Sequence, residues 1–196
     1  MAAPTESLDF RDFDDFYAWL REHHAAEKRA VLNIYKKGFH DRGLSYEDAV
    51  RAALCWGWID STTWRRDEAT FLQQFTPRKP RSYWAASNIR RMQAMIDAGR
   101  MTDAGLAVFD RTLLDRVEEV QAAERARNEE RKELPEAARA LLASNPEAAA
   151  LFEQQAPSYR RQYTLWICHA KKEQTRLRRT RKMMQMLLEG RKPSEI

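Results

Sequence analysis

Residues 58–76, WIDSTTWRRDEATFLQQFT, decide the fold because they contain two β-forming runs separated by a short polar segment. In the first run, alternation along an extended chain predicts that Trp58, Asp60 and Trp64 share one face of a strand. The second run, ATFLQQFT, alternates in the same way. The intervening RRDEA is short enough for a tight connection, so the sequence predicts an antiparallel hairpin.

The elements before this hairpin predict a third strand and two helices. AVLNIYKK, residues 30–37, is rich in β-formers and has the length of a strand. SYEDAVRAALCWG, residues 45–57, predicts a helix with Ser45 as N-cap, Asp48 completing a capping box and Gly57 just past its end. Aromatic residues at helical spacing in residues 9–25 predict an amphipathic first helix. The first 76 residues therefore predict the order α-β-α-β-β.

The remainder of the chain has helical periodicity, beginning with a helix that we expect to start at Ser82. The sequence therefore predicts an α+β protein with a small three-stranded antiparallel sheet packed with helices and a mainly helical C-terminal half. We expect an α+β domain of order α-β-α-β-β-α-α at residues 1–112 and a charged helical connector at 113–134. A basic helical region at 135–196 is expected to pack on the first part.

Composition favours a folded chain of about one domain. The chain has 196 residues, of which 43% are hydrophobic and 10% aromatic, enough for a sizeable core. No run of 18 apolar residues occurs, and the acidic start lacks the apolar segment of a secretory signal. Cys55 and Cys168 lack ligand or redox spacing and read as buried thiols. These features predict a bacterial-type cytoplasmic protein.

Charge is segregated along the chain. Residues 76–100 carry six basic side chains and one acidic, and residues 157–196 carry eleven and three, whereas residues 101–156 carry seven and twelve. Either basic block alone is typical of a solvated helix face. If the fold brings the two blocks together, they form a positive concavity.

FTPRKPRSYW, residues 75–84, predicts a binding site for negative charge. Its two prolines restrict the backbone around Arg78, Lys79 and Arg81, so these cations lose less freedom on binding. Arginine can hold a phosphate or carboxylate bidentately, and Trp84 can stack on a ring. Asp60 would orient a cation or a ligand hydroxyl. The structural alternative is that Asp60 pairs with an arginine and the tryptophans belong to the core.

Other chemistry finds less support in the sequence. The helical spacing of Lys172 and Arg176 in the tail suits either a solvated face or nonspecific nucleic-acid binding, and no sequence-reading motif accompanies it. No P-loop, GxGxxG or GxSxG motif occurs, and His23 and His24 are adjacent, so we predict neither a metal nor a cofactor. Whether the protein is an enzyme stays open, with Asp60 the candidate acid or base.

Six segments in this order resemble the YdeI/OmpD-associated family, also called bacteriocin-protection proteins. They are YAWLREHH, LNIYKKG, LSYEDAVRAALCWGWIDS, FLQQFTPRKPRSYWAASN, GRMTDAGLAVFD and CHAKKEQTRLRRTRKMMQML. The likeness covers most of the chain and fades at residues 113–133. It implies, by the family's name, a role in antimicrobial-peptide resistance or stress and an envelope-associated partner, but no reaction. The motif positions carried over are Trp58, Asp60, Thr76, Pro77, Arg78, Lys79, Arg81, Trp84, Asn88, Lys171, Lys172 and Arg176.

Three functional hypotheses follow. The first is a binding protein whose basic, aromatic cleft holds an anionic small molecule or an acidic partner segment. The second is an enzyme that uses Asp60 on a phosphate- or carboxylate-bearing substrate, and the third is nonspecific nucleic-acid binding through the basic C-terminal helix. The residues predicted to bind the ligand are Trp58, Asp60, Thr76, Arg78, Lys79, Arg81, Trp84, Asn88, Lys172 and Arg176.

Overall fold

Residues 4–193 are described by the structure, a computed structural model, and they form nine α-helices and one three-stranded sheet. The predicted α+β class is confirmed; the outermost residues of the predicted domains, 1–3 and 194–196, lie outside the described part. The elements are α1 (Phe13–His23), β1 (Ala30–Tyr35), α2 (Tyr46–Cys55), β2 (Trp58–Arg65), β3 (Thr70–Pro77), α3 (Ala86–Asp97), α4 (Asp103–Ala107), α5 (Val117–Glu130), α6 (Glu136–Ala143), α7 (Pro146–Gln154), α8 (Pro157–Cys168) and α9 (Glu173–Leu188).

The sheet has the order β1-β3-β2 with both pairings antiparallel, as the hairpin prediction required. A bulge between Asp60 and Thr63 shifts the register of β2 by one residue. Asp60 pairs with Phe75 but Trp64 pairs with Leu72, three positions away on β3, so the two lie on opposite faces. The predicted shared face of Asp60 and Trp64 is therefore wrong, because the extra residue reverses the alternation.

The chain divides into two compact units, Met1–Gln121 and Ala122–Ile196, here called the N-terminal and C-terminal units. The core of the N-terminal unit lies between the sheet and α1 and α2. Phe16 packs on Phe75 with ring centres 5.6 Å apart, and both are fully buried. Helix α2 begins as predicted, with Ser45 Oγ accepting the Asp48 N–H at 3.2 Å.

A close helix contact in the N-terminal unit depends on Gly105 of α4. A Cβ at this position would lie 2.3 Å from the Cys55 carbonyl oxygen, so only glycine allows α4 to approach the end of α2. Thr102 Oγ1 also donates to that carbonyl, at 2.6 Å. Phe109 follows α4 directly and packs edge-to-face on Trp84, with ring centres 4.8 Å apart. The contact therefore helps to position an aromatic ring of the predicted binding segment.

Helix α3 begins at Ala86, and its N-cap is Ala85, three residues later than the predicted N-cap Ser82. The hydroxyl of Ser82 instead donates to the Lys79 carbonyl at 2.6 Å and closes a turn. A serine that bonds a nearby backbone group in this way no longer competes for a helix cap. The predicted start of this helix at Ser82 is therefore wrong.

The C-terminal unit is helical, and the boundary between the units falls within α5. Its core contains Tyr163 and Ile167 from α8 and Met183 and Met186 from α9, all at most 1% exposed. The predicted charged connector is largely helical, because α5 covers fourteen residues of it; none of these residues is buried.

Candidate functional site

Arg78 ties together the loop that follows β3. Its backbone N–H donates to the Gly57 carbonyl at 2.9 Å, and its Nη2 donates to the Tyr83 carbonyl. Its guanidinium lies 3.6 Å from the centre of the Trp84 ring. A desolvated cation–π contact of this kind is worth about 2 kcal/mol. Arg78 is 7% exposed, so this contact holds the indole of Trp84 from beneath the protein surface.

The charge of Arg78 is only partly compensated. Burial lowers the pKa of Arg78, while the carboxylate of Asp60 acts in the opposite direction. The Nε atom of Arg78 is buried and has no hydrogen-bond partner within residues 4–193. Bidentate binding of an anion needs an accessible edge of the guanidinium. Arg78 is therefore placed to hold the Trp84 ring, and its Nε edge is not open to an anion.

Lys79 and Arg81 are exposed on a tight turn between β3 and α3. The turn has Pro80 at its second position and Arg81 at its third, and the Ser82 N–H donates to the Lys79 carbonyl at 3.2 Å. Arg81 has a φ of +60°, the only positive φ of a non-glycine residue in the described part of the chain. Such a residue costs on the order of 1 kcal/mol and tends to occur at functional sites. The strained backbone presents Arg81 to solvent.

Arg81 and Trp84 line a cavity of about 400 Å³ in the N-terminal unit. The apolar wall includes Leu113 and Val120, and the polar wall includes Asp110. Asp110 accepts hydrogen bonds from the hydroxyl and the N–H of Thr112, and these bonds lower the pKa of Asp110. The cavity therefore brings together two of the predicted site residues, a cation and an indole, and adds a carboxylate that the sequence analysis did not assign to it.

Asp60 belongs to a second polar cluster in the same unit. Its carboxylate accepts a hydrogen bond from Tyr46 Oη at 2.9 Å; burial and then the Asp60 charge raise the pKa of Tyr46 to about 12. Arg91 donates to Glu47 at 2.7 Å and to Asn88 Oδ1 at 2.7 Å. The predicted residues Asp60 and Asn88 are thus committed to neighbours, and neither lines the cavity of Arg81 and Trp84.

Two further predicted site residues belong to the sheet. Trp58 is 1% exposed, its Nε1 donates to the His24 carbonyl at 3.2 Å, and it packs edge-to-face on Trp19. Thr76 is half-buried on β3 opposite Ile59. Trp58 is thus a core residue, in agreement with the alternative that the tryptophans of this region belong to the core.

The predicted residues Lys172 and Arg176 lie in the C-terminal unit. Lys172 is exposed at the N-cap position of α9, and Arg176 Nε donates to the Ala170 carbonyl at 2.8 Å. Arg176 also lines a cavity beside Cys168.

A basic and aromatic cluster that the sequence analysis missed is centred on Trp166. Arg179 Nη1 donates to the Trp166 carbonyl, and its guanidinium lies 5.2 Å from the indole centre; Lys182 Nζ lies at 5.8 Å. These residues and Arg178 line a cavity of about 420 Å³. Trp166 adjoins the buried Tyr163 and Ile167 on α8, a spacing typical of a core position, but it is half-buried. Only the pairing of α8 with α9 reveals the cluster.

Groups for metal or thiol chemistry are not assembled in the part of the chain that the structure describes. No cluster of three or more His, Cys, Asp or Glu side chains suited to a metal occurs there. Cys55 and Cys168 are buried and free, and burial raises the pKa of the Cys55 thiol to about 12. Between residues 4 and 193, no helix combines the length and the apolar character needed to cross a membrane.

Two family models match the chain, in different halves. The model described as a domain of unknown function, DUF8412, matches residues 8–108, about half of the chain. The model described as "Bacteriocin-protection, YdeI or OmpD-Associated" matches residues 132–190 and confirms the resemblance drawn from the sequence. It contains the basic segment 168–187, while most of the other motifs lie in the first match. No curated protein and no solved structure matches the chain.

Proposed function

This chain belongs to the DUF8412 family and carries the bacteriocin-protection match in its second half; since neither description names a reaction, we propose a function from the site itself. The N-terminal unit is a binding module for a small molecule that joins one acidic group to an apolar or aromatic body. The binding site is the cavity of Arg81 and Trp84. Arg81 and its neighbour Lys79 bind the acidic group, and Trp84 supports the body.

The observation that carries this proposal is the cavity of about 400 Å³ between an exposed, strained arginine and a fixed indole. Small-molecule sites are usually apolar hollows of about 300–1,000 Å³ with a few convergent polar groups. Trp84 needs no rearrangement before binding, because Arg78 already holds its ring. A site of this kind loses little freedom when the ligand enters.

The carboxylate of Asp110 limits how many negative charges the ligand can carry. Its carboxylate shares the wall with Arg81, so a polyanion would meet repulsion there. A molecule with a single acidic group and a hydrogen-bond donor would satisfy both side chains. This argument favours a small monoanion over a nucleic acid or a strongly acidic protein segment. The family name associates such proteins with bacteriocin protection, a role that capture or sensing of a small molecule would serve.

The test uses thermal unfolding of the full chain with phenyl phosphate, phenylacetate and the uncharged benzyl alcohol. We expect at least one of the anions to raise the melting temperature, and benzyl alcohol to have little effect. Arg81→Ala should weaken the binding of that anion by about tenfold, because a charge-assisted hydrogen bond is lost. Arg21→Ala is the matched control, since Arg21 is also exposed but does not line the cavity.

Three results would contradict the proposal. The first is that neither anion raises the melting temperature. The second is that the effective anion stabilises Arg81→Ala as much as the parent protein, and the third is that benzyl alcohol stabilises the protein as much as the anions do. Stabilisation by hexaglutamate but by neither small anion would replace the small molecule with an acidic segment as the occupant.

A further inference from the structure

A second cavity, of about 580 Å³, lies in the C-terminal unit between α6, α7 and α8. Its apolar wall includes Leu134, Leu142, Ala149 and Phe152, three of which are also part of the buried core of this unit. The volume is well within the range of small-molecule sites. No residue in it was singled out by the sequence analysis.

The hydroxyl of Thr164 opens onto this cavity. Thr164 is 4% exposed as a whole residue, lines the cavity and makes no side-chain hydrogen bond to the described residues, so its hydroxyl is available to a bound polar group. Arg160 precedes Thr164 by one helical turn on α8, and its Nε is fully buried without a partner within residues 4–193. Buried polar groups are nearly always hydrogen-bonded, so the Arg160 Nε at the cavity wall indicates a missing polar partner. The polar end of the cavity is therefore on α8.

The basic side chains around the cavity differ in their pairing. Lys132 is bonded to Glu129 at 2.6 Å, Arg139 to Glu133 at 3.5 Å and Arg160 to Glu153 at 2.7 Å. Arg161 also lines the cavity, is exposed and has no ion-pair partner among residues 4–193. One positive charge is thus left uncompensated at the polar end.

We propose that this cavity binds an amphiphilic monoanion, a molecule with an apolar chain that ends in a carboxylate. The chain occupies the hollow lined by Leu142 and Phe152. The carboxylate accepts hydrogen bonds from Arg161 and from the hydroxyl of Thr164. This site is independent of the function proposed for the N-terminal unit.

The charges favour a carboxylate over more highly charged groups. Arg161 supplies one unpaired cation, whereas Glu133 and Glu153 also line the cavity and would repel a second negative charge. The apolar wall excludes a wholly polar ligand, since burying polar groups without partners is costly. A neutral amphiphile would fill the hollow but leave the Arg161 charge unpaired.

The probe is decanoate, below its critical micelle concentration, with decanol as the neutral equivalent, measured by isothermal titration calorimetry on the full chain. The measurements use the Arg81→Ala variant and further variants made on it, because the N-terminal cavity could also take decanoate. We expect one decanoate per chain and an affinity for decanol about tenfold lower. Arg161→Ala should lower the affinity for decanoate by about tenfold. Arg181→Ala is the matched control, because Arg181 is exposed on α9, has no ion-pair partner in the described residues and does not line the cavity.

Thr164→Val separates binding from folding. The substitution keeps the shape of the side chain and removes an unpaired hydroxyl, so the melting temperature should stay the same or rise. The affinity for decanoate should nevertheless fall several-fold. A structural role for Thr164 would instead lower the melting temperature.

Ala149→Phe fills the hollow and should abolish binding. If this variant fails to fold, Arg161→Ala and Thr164→Val still decide the matter. Absence of decanoate binding, equal affinity for decanol, or an unchanged affinity in Arg161→Ala overturns the proposal. Because decanoate binding at this site is measured with Arg81 already replaced, failure here is distinguishable from failure at the N-terminal cavity.

Discussion

Arg78 with Trp84 in the N-terminal unit and Arg179 with Trp166 in the C-terminal unit are built from the same parts. In each pair the guanidinium faces an indole and donates to a main-chain carbonyl. The guanidinium lies 3.6 Å from the ring centre in the first pair and 5.2 Å in the second. Arg78 and Trp84 are each 7% exposed, whereas both members of the second pair are half-buried.

The difference lies in what brings each pair together. Arg78 and Trp84 are six residues apart, and a strained turn folds one directly onto the other, away from water. Arg179 and Trp166 lie on two packed helices, so part of the indole stays in solvent, where Lys182 also approaches it. The same residue types therefore make a rigid support in one unit and an accessible cationic surface in the other.

The largest expected loss in the free energy of unfolding follows substitution of the tryptophans. Trp84→Ala should lower the free energy of unfolding by about 3–5 kcal/mol, as removal of a buried tryptophan usually does. Trp166→Ala should cost only about 1–2 kcal/mol, because part of the ring is already in water. Urea unfolding followed by circular dichroism measures both. Equal losses would show that the two pairs do not differ as described.

Substitution of the arginines should have an intermediate effect. Arg78→Ala removes the ring contact and the hydrogen bond to the Tyr83 carbonyl, which should cost about 2 kcal/mol. Arg78→Met should cost about 1 kcal/mol, because it keeps the packing on Trp84 and removes a poorly compensated buried charge. Arg179→Ala should cost less than about 1 kcal/mol.

A double-mutant cycle of each arginine with its tryptophan measures the coupling directly. We expect a coupling free energy near 2 kcal/mol for Arg78 with Trp84, and less than about 1 kcal/mol for the other pair. A larger coupling in the C-terminal pair would reverse the comparison.

The smallest effect on stability is expected at Arg81. Arg81→Gly relieves the positive φ but increases the freedom of the unfolded chain, so the free energy of unfolding should change by less than about 1 kcal/mol. Thermal unfolding without ligand measures it. A greater loss would mean that the Arg81 side chain supports the fold, contrary to its proposed role in ligand binding.

The order α-β-α-β-β, the hairpin and the caps of α2 and α4 were predictable because each depends on neighbouring residues. Ser45 and Thr102 cap their helices through groups three residues away, and alternation alone defines β2 and β3. The bulge after Asp60 was not predictable, since one extra residue leaves the composition of a strand unchanged. The late start of α3 was missed because Ser82 bonds back to Lys79.

For the candidate site, the sequence by itself determined that cations and aromatic rings occur together at residues 75–84. Only the tertiary structure decided which of them are accessible: Arg78 is buried under Trp84, Arg81 is exposed, and Asp60 joins another cluster. It also assembled the cavity between α6, α7 and α8 and the cluster around Trp166, because the residues of each lie on different helices. Burial and charge compensation depend on every neighbour in space, and most of those neighbours are distant in the chain.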